Sequence, residues 1–333
     1  MRYRIAYRAY CRPLTVPLRT AHGAWTEREG VLVRLEREDG GVGYGEAAPI
    51  PWFGTETVAE VTAALAELGA DATEAELDAV PARLGCLRYA LGAARAGKWA
   101  TVAEAQTRLP VAALLPAGRA ALEALRERIE AGYLAAKWKV GVGRAEEELP
   151  LLDDLLGMLP GYFKLRLDAN GAWDRRTAEK WLARCAERPV EFVEQPVAPA
   201  AEDTLRGLAD DFPVTLALDE SVTGLAAAAA WQERGWRGVF VLKPALAGPL
   251  DELVAWAERT KPDLVFSSAI ETALCRAQWL RAVFARGLTK RALGVGIGSV
   301  FGDRTWDGPV VGPLMDAAWS DGVNAEDLWN AAR

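Results

Sequence analysis

Histidine is almost missing from this chain: there is one, His22, in 333 residues. A zinc site built on two or three imidazoles is thereby excluded, and any Ser-His-Asp or Cys-His mechanism would have to use His22. Cysteine is scarce too, and Cys11, Cys86, Cys185 and Cys275 lie far apart with no CxxC pair. That spacing suggests neither a zinc ribbon nor a disulfide framework, and reads as free thiols in a reducing compartment. Long hydrophobic runs are absent, the most nearly apolar stretch being 225–231, far too short to cross a bilayer. The opening MRYRIAYRAYCRPL has no uninterrupted apolar core, so a signal peptide is not expected and a cytoplasmic location is. Blocks of one charge sign are also lacking. The 39 basic and 46 acidic residues, net −7, are mixed along the chain, and neither nucleic acid nor a membrane surface is an expected partner.

What remains for catalysis is carboxylates and lysines. With 51% hydrophobic residues the chain can bury a full core, and its length suits one large domain with a smaller one. Thirteen dispersed tryptophans read as core filling. Residues 1–105 run as strands followed by helices. Arg2–Tyr10, Gly30–Glu36 and Gly41–Glu46 read as strands, then Thr55–Leu68 and Arg88–Lys98 as helices, with Thr55 or Thr57 as the first helix cap. This is the signature of a segregated α+β unit. From about 106 to 310 the rhythm changes. Eight apolar or β-branched runs (111–115, 134–140, 162–168, 190–194, 214–219, 238–243, 263–268 and 292–297) alternate with amphipathic stretches. Alternation of this kind demands a parallel sheet, and eight units close it into a (β/α)8 TIM barrel. Residues 311–333 form a C-terminal segment expected to pack back on the first domain.

The reactive residues fall on this rhythm. Lys139, Asp168, Glu194, Asp219, Lys243 and Ser267 stand at or just beyond six successive strand ends, 24 to 29 residues apart. In a barrel, all strand C-terminal ends share one rim, where barrel enzymes keep their active sites. Three bare carboxylates, Asp168, Glu194 and Asp219, would repel one another there. A hard divalent cation removes the conflict, and oxygen ligands without histidine suit Mg2+, with Mn2+ as a substitute. The plain alternative is a solvated acidic rim or a set of helix caps. Asn170 and Glu220 are read as hydrogen-bonding partners of those acids, or equally as a turn amide and a surface acid. In Lys137-Trp138-Lys139, strand alternation turns both lysines inward and Trp138 outward. Two such ammonium groups near a metal are expected to lower each other's pKa, leaving Lys139, nearer the strand end, as the base. Lys243 reaches the rim from across the barrel. Arg166 shares the face of Asp168 and is expected to pair with one of the three carboxylates.

KWK at 137–139, LDAN at 167–170, VEQP at 193–196, LDES at 218–221 and LKP at 242–244, in that order and spacing, resemble the enolase superfamily in its muconate-cycloisomerase-like subgroup. Within it the chain is similar to the o-succinylbenzoate synthase family, over nearly its whole length. The resemblance implies abstraction of a proton α to a carboxylate, giving an enediolate held by Mg2+, consistent with the lysine or histidine bases used across that superfamily. For the synthases it implies syn-dehydration of 2-succinyl-6-hydroxy-2,4-cyclohexadiene-1-carboxylate to 2-succinylbenzoate in menaquinone or phylloquinone synthesis. Lys139 would take the α-proton and protonate the leaving hydroxyl, while Lys243 stays charged beside the ring. The stretch GYGEAAPIPWFGTET (43–57), with Trp52 and Phe53, resembles the loop that closes over substrate. Ser267, Ser268 and the glycine-rich GVGIGS with Gly298 would contact the succinyl group. As a dinucleotide fingerprint GVGIGS is weak, because it lacks the partner acid and the strand-turn-helix context. His22 is read as a loop histidine of the capping segment.

Other chemistries share these residues. N-acylamino acid racemases and muconate cycloisomerases use the same constellation, with Lys139 and Lys243 as opposed bases in the first. Dipeptide epimerases usually close strand 8 with an Asp-x-Asp pair, where this chain reads Gly296-Ile297-Gly298-Ser299. A glycosidase using Asp168 and Glu194 leaves the third acid and both lysines without a role. A non-catalytic barrel leaves all the charges without one.

Overall fold

A computed structural model describes residues 1–20, 23–97 and 107–332. His22 and the expected domain boundary at 105/106 lie outside the described residues.

The N-terminal unit is an antiparallel sheet of β1 (Arg2–Thr20), β2 (Gly23–Arg37), β3 (Val42–Ala47) and β4 (Asp71–Thr73) in the order β3-β2-β1-β4. The first two strands outrun the short ones expected. Beyond the expected end at Tyr10 the chain stays extended through Pro13 and Pro17, and only the pairing slips, between Pro13 and Leu18. Helix α1 (Val58–Leu68) starts at Thr57 through a reciprocal capping box: the Thr57 hydroxyl accepts from Glu60 N and the Glu60 carboxylate accepts from Thr57 N. Thr55 instead accepts a hydrogen bond from Ile50 N. After the short α2 (Glu74–Asp78), α3 (Gly85–Ala96) lies directly on β3. Gly45 makes this approach possible, since a Cβ there would stand 2.0 Å from the Ala90 carbonyl oxygen.

The second unit is a ring of parallel strands: β5 (Arg108–Leu115), β6 (Ala135–Lys139), β7 (Lys164–Asp168), β8 (Val190–Glu194), β9 (Leu216–Leu218), β10 (Val239–Leu242), β11 (Leu264–Phe266) and β12 (Leu293–Gly296). Between them run α4 (Ala120–Glu130), α5 (Ala145–Met158), α6 (Arg175–Cys185), α7 (Glu202–Asp211), α8 (Leu225–Glu233), α9 (Leu250–Thr260) and α10 (Ala273–Arg286). β12 pairs with β5, and the ring closes on β11 through a bridge from Ser267 to Gly294 with Ser268 N donating to Gly294 O at 3.1 Å. A side chain at 294 would put its Cβ 2.6 Å from the Ser267 hydroxyl, so glycine permits the closure. Inside the barrel Phe192, Ala217, Val239, Val241 and Val265 pack as a cluster of their own. Outward residues such as Trp138 meet the helices, its ring 6.2 Å from that of Trp181 on α6.

The two units are joined by buried polar side chains. The Arg28 guanidinium donates to the carbonyls of Ala48 and Pro49 in its own unit and of Ile270 in the barrel. Glu46 accepts from the Tyr10 hydroxyl at 2.6 Å and from Thr272 N, the residue that precedes α10. Past α11 (Arg304–Asp307), β13 (Leu314–Asp316) pairs antiparallel with β5, and α12 (Ala325–Ala331) brings the Trp329 ring 4.3 Å beneath the Arg8 guanidinium of β1. No helix among the described residues is long and apolar enough to cross a membrane.

Candidate active site

Parallel pairing sets Lys139, Asp168 and Glu194 side by side, in register, at the ends of β6, β7 and β8. Asp219 follows β9 directly and Lys243 follows β10, the strand four places around the ring from β6. Two lysines therefore face one another across a row of three acids. Asp168, Glu194 and Asp219 are all buried. Lys137, one inward position below Lys139, donates to Glu194 at 3.1 Å and stands 2.8 Å from Asp168. Lys243 is paired with Asp219, and its ammonium also lies 4.1 Å from the centroid of the Phe53 ring. Among the described residues no three acid, histidine or cysteine side chains stand close enough to hold a metal as they are. Their charge is met by ammonium groups instead.

The electrostatics reflect this crowding. Burial, then the neighbouring Asp168, push the Glu194 carboxyl up to about 8. Burial acts on Asp168 in the same direction, but Lys137 and Lys139 more than offset it and hold Asp168 below the usual carboxylate range. Glu220 is pushed up to about 7 by burial and by Asp219 and Asp168. It accepts from the Asn170 side-chain amide at 2.9 Å, so the two residues read as partners of the acid row bond to each other, and only the Asn170 backbone N donates to Asp168, at 3.1 Å; each side chain retains one buried oxygen without a partner. Such orphan oxygens and an oxygen-only donor set fit a hard cation in this rim.

The expected mutual lowering of the two lysines is corrected for Lys137. Burial does lower its pKa, but the three carboxylates outweigh it and hold the ammonium well above the ordinary lysine value. Arg166 is a second correction. It does not reach the acid row; its guanidinium donates to Glu191 at 2.6 Å and to the Ala292 carbonyl, deeper in the barrel. The β7–β8 register slips between Leu165 and Arg166, so Glu191 is an extra residue facing inward. Arg291 completes this group, bonded to both Glu191 and Asp263. A cavity of about 950 Å3 opens at that end, away from the acids and lysines of the rim.

Residues 120–265 match the family described as "Enolase C-terminal domain-like", and residues 1–97 the one described as "MenC, N-terminal domain". The chain is 42% identical to the o-succinylbenzoate synthase of Thermosynechococcus vestitus, over 81% of this chain and 85% of that protein. The chain belongs to the o-succinylbenzoate synthase family. Its fold superposes on the crystal structure of o-succinylbenzoate synthase from Thermosynechococcus elongatus BP-1, complexed with Mg in the active site, with a TM-score of 0.84 and 37% identity over 98% of this chain and 99% of that one. The L-Ala-D/L-Glu epimerase of Bacillus subtilis, 21% identical, shares the fold at a TM-score of 0.80 over 94% of this chain and 95% of that one. As a member of this family the chain is a hydro-lyase.

The remaining residues singled out for the family's reaction are spread around the rim. Phe53 is on it, over Lys243, while Trp52 is 40% exposed and stacks edge-on against Trp25 at 4.8 Å. The Ser267 hydroxyl donates to Gly294 O, and that of Ser268 to Glu271. Gly298, at a positive φ of 72°, is exposed on the loop after β12. Sequence reasoning missed Gln195. Its signal was a lone amide wedged between a strand-end acid and a proline.

Proposed function

We propose that the chain dehydrates 2-succinyl-6-hydroxy-2,4-cyclohexadiene-1-carboxylate to 2-succinylbenzoate, a precursor for menaquinone or phylloquinone synthesis. The observation that carries this reading is the 42% identity to an o-succinylbenzoate synthase over 81% of the chain, joined to the opposition of Lys139 and Lys243 across the row Asp168, Glu194 and Asp219. Those three acids would hold Mg2+, with Mn2+ as a substitute. When bound, the ion supplies the positive charge against which a substrate carboxylate can develop further negative charge. Lys139 removes the proton α to that carboxylate and, as an ammonium, returns it to the departing hydroxyl on the same face, releasing water. Lys243 stays protonated, held by Asp219 and by the Phe53 ring, and steadies charge on the ring from the other side. Lys137 neutralises Asp168 and Glu194 from below. Arg166 is assigned to the barrel's structure rather than to substrate.

The three segments divide this work. Residues 1–105 cap the mouth and carry Trp52 and Phe53, residues 106–310 form the catalytic barrel, and residues 311–333 brace the cap. Ser267, Ser268 and Gly298 lie on the side of the rim where the succinyl chain would run. The partner is a small-molecule carboxylate. The deciding experiment is a side-by-side assay of dehydration and of N-succinylamino acid racemisation with Mg2+ present. Dehydration faster than racemisation supports the reading, and racemisation alone overturns it in favour of two opposed bases.

A further inference from the structure

Gln195 follows the acid Glu194 and is fully buried. Its backbone is in the left-handed region, φ 39°, which a non-glycine residue adopts only when its surroundings hold it there. Every polar atom of its side chain is used. The amide nitrogen donates to Val197 O at 3.0 Å and to the Ser221 hydroxyl at 2.8 Å, and the amide oxygen accepts from Asp219 N and Ser221 N, both at 3.1 Å. Its main chain is engaged in two further directions. Gln195 N donates to Ala217 O at 2.8 Å, and Gln195 O accepts from Gly171 N at 2.7 Å in the loop that follows Asp168. One residue thus ties together the segments that follow β7, β8 and β9, which begin at or directly after Asp168, Glu194 and Leu218 and so adjoin all three acids.

We propose that Gln195 is the positioning residue that fixes the spacing of Asp168, Glu194 and Asp219 and so sets their affinity for a divalent cation. The proposal rests on the reading of those acids as the Mg2+ ligands. A carboxylate row held by ammonium groups has no intrinsic reason to keep one spacing, because like charges push the loops apart. A neutral, fully satisfied amide resists that push without adding charge. Its oxygen aligns the peptide of Asp219 directly, and outer groups of this kind typically govern metal affinity by about 10- to 100-fold.

The test is calorimetric titration of the full chain with MgCl2 alone, alongside thermal unfolding. Gln195→Leu, similar in volume but unable to bond, is expected to bind Mg2+ about 10- to 100-fold more weakly. A Gln195→Leu protein that melts earlier yet binds Mg2+ as the parent does overturns the proposal, since that is what a purely structural role produces. If that variant does not fold, Ser221→Ala removes one partner of the amide; weaker Mg2+ binding supports the proposal and unchanged binding overturns it. Absence of Mg2+ binding by the parent removes the metal reading itself and this proposal with it, whereas parental binding with unaltered variants removes only the role of Gln195.

Discussion

Phe53 of the cap lays its ring face against the Lys243 ammonium of the barrel, 4.1 Å from nitrogen to ring centroid. A group from residues 1–97 thus completes the surroundings of a lysine that the barrel alone would leave facing solvent and Asp219. A cation on an aromatic face contributes about 0.5–2 kcal/mol. Phe53→Leu keeps the apolar bulk and loses the π face. It should lower kcat/KM for dehydration by about 2- to 30-fold with little change in thermal stability, as steady-state kinetics and a melting curve would show.

The two lysines should respond differently to arginine. A base must lose its proton, and a guanidinium does not do so in a protein. Lys139→Arg and Lys139→Ala are therefore both expected to lose about 10²- to 10⁴-fold in turnover. Lys243→Arg retains the charge and should keep more activity than Lys243→Ala. Equal losses for the two arginine variants would remove the distinction between base and charge stabiliser.

Chelation offers a direct check on the acid row. Treatment with EDTA should abolish dehydration, and added Mg2+ should restore it, with Mn2+ substituting. Asp219→Asn should require more Mg2+ to reach half its maximal rate. Turnover that survives exhaustive chelation would sink the assignment of Asp168, Glu194 and Asp219.

Deep in the barrel, Glu191 shares its carboxylate between Arg166 and Arg291 at 2.6 Å each. Burial raises its pKa, but the two guanidinium groups outweigh it and hold the carboxyl below its ordinary value. A depressed folded-state pKa contributes stability in full above the unfolded value, about 4.3, and loses it as pH falls through the lower folded value. Glu191→Gln should therefore flatten the acid limb of the stability–pH curve. Near neutral pH it leaves Arg166 buried without its counter-charge, at a cost of about 3–5 kcal/mol, measurable by urea unfolding of the two proteins side by side.

Much of the barrel was legible because its signal is local. Period-two alternation marks 134–140 and 162–168 as strands with Lys137, Lys139, Arg166 and Asp168 on one face, and the structure keeps that face inward over the slightly shorter Ala135–Lys139 and Lys164–Asp168. Arg166 shows where such reasoning stops. Its face was correct, yet its partner depends on a one-residue slip between β7 and β8 that puts Glu191 in reach, and nothing in either strand's pattern announces a slip. Gln195 escaped for a related reason. One of its four side-chain bonds is local, to Val197 O, but the other three run to Asp219 and Ser221, 24 and 26 positions on at a neighbouring strand end, where its sequence neighbours carry no trace of them.

The available chemistry follows from composition and spacing. One histidine and lysines and acids at regular strand ends leave proton transfer to lysine and any cation to oxygen ligands. The rim follows too, because alternation and strand length are properties of a few consecutive residues. Who meets whom there is settled by packing: Lys137 with Asp168 and Glu194, Lys243 with Asp219 and Phe53, and Gln195 with three loops. Those pairings depend on strand register, on closure of the ring between β11 and β12, and on the docking of the cap through Arg28 and Glu46. Each brings together groups far apart in the chain, and contacts of that kind are set by the packing of whole elements rather than by any local pattern.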